Sequence, residues 1–218
     1  MDLLAAFNTN PNFIPRPGGT LAVFNDKYPH KHSGVAIVVG THPCWLEDYE
    51  QAAANYPQHD IIAVNEAVRL VKAKHLITAH DDNLRSFVDA YKETWGCLPE
   101  IIHVSDSRLT DNGIEKHIWP ASVPGGSAIL AAAIAIRIGY ELVILSGCPL
   151  FGGGGYPFPT HKGHIYDPRV GHVGGNHTLI KSWHRQLQAM KEDAPEIAAK
   201  IRSMSGFTKE LFGGIDDN

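Results

Sequence analysis

Hydrophobic positions in this chain fall into short unbroken runs separated by stretches with helical spacing. Val35 to Val39 is apolar throughout and bounded by Gly34 and Gly40, the pattern of a strand covered on both faces. Comparable runs recur at Asp60–Val64, His75–Ala79, Glu100–Val104 and Leu142–Leu145. Between them the spacing predicts helices over Cys44–Asn55, Glu66–Lys74 and Asp82–Thr94, and a strongly apolar one from Ser127 to Gly139. Acidic residues open the third of these, Ser127 is placed to cap the fourth, and Gly139 to end it at C′. Alternation of this kind predicts an α/β fold: a single Rossmann-like domain with a mostly parallel sheet and helices on both faces. Two more helices are expected, Leu179–Lys191 with Trp183, Leu187 and Met190 at helical spacing, and Pro195–Met204.

The pattern weakens at both ends and in two internal stretches. Residues 1–34 carry no period and many Asn, Pro and Gly signals, so they read as an N-terminal arm and a candidate for mediating a homo-oligomer. Residues 35–205 form the expected domain, and residues 206–218 read as a mobile C-terminal tail. Thr110–Pro124 reads as irregular. A long glycine-rich loop follows the fifth strand, too long for a plain connector.

Composition narrows the function classes. Among 218 residues, 19 Lys and Arg face 23 Asp and Glu, a net charge of −4 with neutral histidines. No polycationic surface for non-specific nucleic-acid binding is therefore expected. The apolar run Ala128–Ile136 stops at Arg137, far short of a membrane span. No basic region precedes the apolar Leu3–Phe7 patch, and Cys44, Cys97 and Cys148 form no CxxC pair. Reduced thiols and a cytoplasmic location follow as expectations. Thirteen histidines are the outlier.

Candidate chemistry gathers where parallel strands end, because ligands of such sheets sit outside the C-terminal strand ends near a topological switch point. The first turn, Gly40-Thr41-His42-Pro43, holds one glycine where a dinucleotide fingerprint needs three, which disfavours NAD or FAD. Asn65 ends the second strand, suited either to reading a base or ribose or to capping the next helix. Asp81 and Asp82 end the third, as Mg²⁺ ligands or helix caps. Gly152–Gly155 lacks the Lys-Ser/Thr of a phosphate loop and reads as a flexible lid. His161, His164, His172 and His177 all fall in the glycine-rich stretch; a catalytic histidine fits there better than a metal site. The remaining histidines are expected to be solvated or satisfied in the core.

Several of these segments together resemble the short bacterial sialyltransferases that use CMP-sialic acid. The serine-opened helix Ser127–Tyr140, followed by a strand ending in Ser146-Gly147, is similar to that family's, as are Val39-Gly40-Thr41-His42-Pro43 and Ala63-Val64-Asn65. Val170-Gly171-His172 resembles the family's Ile-Gly-His segment. The resemblance implies a glycosyltransferase with a CMP-type nucleotide-sugar donor, a hydroxyl acceptor and no required metal. It implies His172 as general base, Tyr156 as donor to the leaving phosphate, and Gly40–Pro43, Asn65, Ser127, Ser146 and Gly147 around the nucleotide. Phe151 stands where the family has a second tyrosine, and Thr41-His42 where it has Asn-Gly. Ala63–Leu70 with Leu76–Asp82 also resembles archaeal 6-hydroxymethylpterin pyrophosphokinases. That alternative implies Mg²⁺ and ATP at Asp81 and Asp82. A non-catalytic nucleotide-binding module is the third class.

Overall fold

The computed structural model describes residues 13–15, 21–23, 28, 31–105, 109–119, 126–150 and 177–217. Short strands β1 (Phe13–Pro15) and β2 (Leu21–Val23) pair antiparallel in the N-terminal arm. The domain follows as β3 (Val35–Val39), α1 (Trp45–Asn55), β4 (His59–Val64) and β5 (His75–Thr78). Next come α2 (Leu84–Trp95), β6 (Ile101–Ser105), β7 (His117–Trp119), α3 (Ser127–Ile138) and β8 (Leu142–Ser146). The chain closes with α4 (His177–Asp193), α5 (Pro195–Ala198), β9 (Ile201–Ser203) and α6 (Gly206–Phe212).

Strands β3 to β9 form one parallel sheet in the order β7-β6-β5-β4-β3-β8-β9. The unbroken apolar runs are explained by the two layers that cover it. Along β3, Ala36 and Val38 face one side, with α3, Leu187 and Met190 of α4, and Leu211 and Phe212 of α6. Ile37 and Val39 face the other, with Ala52 of α1 and Leu84, Phe87 and Tyr91 of α2. Helix α3 is apolar nearly all round and nearly all buried, as a helix between sheet and outer layer must be. The fold is Rossmann-like α/β, as the alternation predicts. Among the described residues no helix is long and apolar enough to cross a membrane.

Five expectations need correction. Thr110–Pro124 contains β7, and Pro195–Met204 is a four-residue helix followed by β9 rather than one helix. The segment read as a mobile tail is α6, packed on the core through buried Thr208, Leu211 and Phe212. Only a 3₁₀ turn, Asn65–Arg69, occupies the start of the expected Glu66–Lys74 helix. Gly126, not Ser127, is the N-cap of α3. The glycine-rich loop lies outside the described residues.

Candidate functional site at the strand ends

The chain runs outward from β3 through β4 to β7, then returns to lay β8 against the other side of β3. The switch point is therefore the pair of turns after Val39 and Ser146, which the register places level with each other. Gly40 N–H donates to the Ser146 carbonyl at 2.8 Å, and His42 N–H to the Gly147 carbonyl at 3.2 Å. These turns touch through their glycines. A Cβ on Gly40 would lie 2.5 Å from the Gly147 oxygen and 2.6 Å from Cys148 Sγ. One on Gly147, at φ +64°, would lie 2.6 Å from Trp45 Cβ. Gly40→Ala should accordingly cost about 2 kcal/mol or more, because backbone has to move. Urea denaturation checks this, and a variant as stable as the parent would mean that the turns part freely.

Asp48 ties the turns to the C-terminal segment. This carboxylate is buried on α1, and its Oδ2 accepts from Gly147 N–H at 2.9 Å, Ser205 Oγ–H at 2.8 Å and the Cys44 thiol at 3.3 Å. His42 Nδ1 accepts from the Cys44 N–H at 3.3 Å and lies 3.0 Å from its Sγ. The Cys–His–Asp proximity invites a nucleophile reading, but burial, aided by Asp48, pushes the thiol up to about 11 against the lowering bond from Ser205. Cys44 is a protonated thiol at neutral pH and unsuited to attack.

Asn65 and Ser127 flank the end of β5. Asn65 adopts φ +53°, a left-handed conformation costly for most residues, and its Oδ1 accepts the Thr78 hydroxyl at 2.7 Å. It makes no cap bond; its amide Nδ2 has no partner among the described residues. Ser127 Oγ accepts from Ala79 N–H at 3.2 Å. Register brings these two groups to one edge: Val39 pairs with Ala63 and Val64 with Ile77, so Gly40, Asn65 and Thr78 end adjacent strands.

Asp81 caps no helix and is engaged by other partners. No side chain caps the 3₁₀ turn Asp81–Asn83 or α2. Its buried carboxylate is clamped by Lys116 Nζ at 2.7 and 2.8 Å, by Thr110 N–H at 2.6 Å and by Asn112 Nδ2 at 3.2 Å. Burial raises its pKa, yet Lys116, Thr110 and Asn112 together hold it below the ordinary carboxylate range. Mg²⁺ would have to displace an ammonium already seated there. Asp82, next in sequence, is exposed.

Gly40, Thr41, His42, Pro43, Ser146 and Gly147 thus meet at the switch point, with Asn65 and Ser127 beside it. Tyr156 and His172, like Phe151, Gly152–Gly155, His161 and His164, lie outside the described residues; of His177 only the backbone, at the start of α4, is described. Sequence reasoning missed Asp48, Thr78 and Ser205. A usable signal for Asp48 was its place four residues after Cys44 on the same helix face. Fold and strand-end geometry define a Rossmann-like domain with an edge suited to ligands. The chain matches no family model, no curated protein and no solved structure.

Proposed function

We propose that this protein is a transferase that binds a CMP-type nucleotide sugar across the ends of β3, β4, β5 and β8 and passes the sugar to a hydroxyl acceptor. The observation that carries the reading is Asn65. An asparagine held at positive φ by a neighbouring hydroxyl, with its amide donor unused among the described residues, is strain and polarity concentrated at a strand end beside the switch point. Such an amide suits the carbonyl or ring nitrogen of a base, or a ribose oxygen. In this reading His172 takes the acceptor proton and Tyr156 donates to the departing phosphate, roles taken from the resemblance. The pyrophosphokinase alternative loses ground to the Asp81–Lys116 clamp, since its metal ligand is already engaged.

A thermal-shift panel of CMP, UDP, ADP and ATP, each with and without Mg²⁺, tests the proposal. Metal-independent stabilisation by CMP is expected, near 2.7 kcal/mol at about a hundred times the Kd. Asn65→Ala should weaken that binding by about 1–3 kcal/mol while the protein stays folded. Unchanged affinity would remove Asn65 from the site, and stabilisation by ATP only with Mg²⁺ would overturn the reading. Release of CMP from a CMP-sugar in the presence of hydroxyl acceptors then tests transfer itself.

A further inference from the structure

A connected line of aromatic and imidazole groups crosses the sheet from Trp119, the last residue of β7, through His103 within β6 to His75, the first of β5. The indole N–H of Trp119 can only donate, and it donates to His103 Nδ1 at 2.9 Å. Neutral His103 then carries its proton on Nε2, facing His75 Nδ1 at 3.1 Å. His75 in turn carries its proton on Nε2 and donates to the Tyr140 hydroxyl oxygen at 3.0 Å. That hydroxyl gives its own proton to Asp60 Oδ2 at 2.5 Å, and Lys74 Nζ holds the same oxygen at 2.6 Å. His32 Nδ1, 3.2 Å from the Tyr140 oxygen, must therefore donate, leaving its Nε2 to accept the Tyr28 hydroxyl at 2.8 Å. One donor-only group at one end sets every tautomer to the other.

This tautomer order is incompatible with a metal centre on these side chains. His32 Nδ1, Asp60 Oδ2 and His75 Nε2 lie within 4.8 Å of one another, a donor set a zinc ion would accept. Metal on His75 Nε2 would move its proton to Nδ1, and His103 would then have to carry its proton on Nδ1, pointing at the Trp119 N–H. The Tyr140 hydroxyl fills the centre of the three atoms, and Lys74 already supplies the positive charge beside Asp60.

We propose that this chain is a pH-sensitive latch, which fastens the segment carrying Tyr28 and His32 to the sheet while its imidazoles are neutral and frees it when they take up protons. The segment is docked by backbone as well as side chain. His32 N–H donates to Ile138 O at 2.9 Å, and Glu141 N–H to Gly34 O at 2.8 Å. Gly139, at φ +118°, has room for the His32 carbonyl only because it lacks a Cβ. The His32 ring stacks on Tyr140 at 5.0 Å and meets His75 edge-on at 4.8 Å, and Tyr28 meets His117 edge-on at 4.8 Å. Facing groups come from every element packed here. Tyr28 and His32 belong to the segment and Asp60 to β4, while Lys74 precedes β5 and His75 opens it. Glu100 and His103 flank and line β6, His117 starts β7, and Tyr140 precedes β8. Burial, then the neighbouring His32 and Lys74 charges, push His75 down to about 3, while Asp60 opposes; burial and the adjacent imidazoles push His103 the same way. Opening the latch wets His75 and restores its ordinary basicity, so protons favour the open form.

Amide hydrogen exchange, corrected for the intrinsic pH dependence of the chemistry, reads this directly on the intact protein. From pH 7.5 to 5.0 the protection of the His32 and Glu141 amides should fall about 30-fold for one imidazole returning to a pKa near 6.5. Those amides should remain less protected than Ile37 in β3 at both pH values, because the segment opens without the sheet. His75→Gln, which keeps an acceptor and a donor but does not titrate, should flatten the pH dependence; if that variant fails to fold, the wild-type series decides alone. Protection independent of pH, or equal to that of Ile37 throughout, would overturn the latch. So would a rise in protection with one equivalent of Zn²⁺, since the tautomer order would then be wrong.

Discussion

Lys116→Ala should destabilise the fold by about 3 kcal/mol, because it strands the Asp81 carboxylate in a site from which water is excluded. The Asp81 side chain is 0% exposed and that of Lys116 11%. Beyond the two carboxylate contacts, Lys116 Nζ donates to Thr110 O and Asn112 Oδ1, both at 3.0 Å, so the ammonium is fully used. Thr110 and Asn112 remain as neutral donors to Asp81 after the substitution. That retention places the expected loss at the lower end of the ~3–5 kcal/mol found when one partner of a buried pair is removed. Urea denaturation at pH 7 measures it. Replacing both partners with apolar residues should recover much of the loss, since no charge is then left alone. A single-variant loss under ~1 kcal/mol would mean that the clamp is wet and open to a metal, and the pyrophosphokinase reading would regain its ligand.

That clamp also shows where the sequence was legible and where it was not. The strands buried on both faces announce themselves because every position in Val35–Val39 must be apolar. Strands β7 and β9 do not: His117-Ile118-Trp119 and Ile201-Arg202-Ser203 are three-residue edge strands with polar members. Ser203 is buried, and its hydroxyl is satisfied by Thr208 at 2.7 Å, a partner five residues on that no local pattern reveals. Helix α6 hides for the opposite reason. Its two buried apolar residues, Leu211 and Phe212, stand just before Gly213-Gly214 and the terminal acids, so composition reads as a tail.

At the strand ends, Gly40, Asn65 and Ser146 could be located because a strand's last residue is visible once the strand is. The bonds that organise them could not. Asp48 reaches Gly147 and Ser205, 99 and 157 residues away in the chain, and Asp81 reaches Lys116 across 35. Such pairings are products of topology. The histidine count flagged an anomaly correctly, but His32, His75, His103 and His117 come singly from four separate segments and carry no spacing motif. Only the parallel pairing of β5, β6 and β7 brings the last three side by side.

Those histidines set the second large effect, a steep loss of global stability in acid. His75 and His103 are buried and neutral in the fold, with pKa values pushed down by burial first and by neighbouring positive charge second. In the unfolded chain both return to about 6.5. Below that pH the unfolded state therefore binds more protons than the folded one, and stability falls as pH falls. For His75 the stabilisation is complete above pH 6.5 and is lost on the way down to its folded value of about 3. The slope is about 1.4 kcal/mol per pH unit, or roughly 3 kcal/mol between pH 6.5 and 4.5. His103 adds in the same direction. Asp60, whose pKa is raised by burial but lowered overall by Lys74 and Tyr140, contributes stability that is lost only at lower pH, as the carboxylate protonates. Urea midpoints measured from pH 7.5 to 4.5 check the slope, and His75→Gln should make it shallower by about one proton's worth. A flat profile across that range would mean that the imidazoles are already wet at neutral pH, and the tautomer order set by Trp119 would have no energetic consequence.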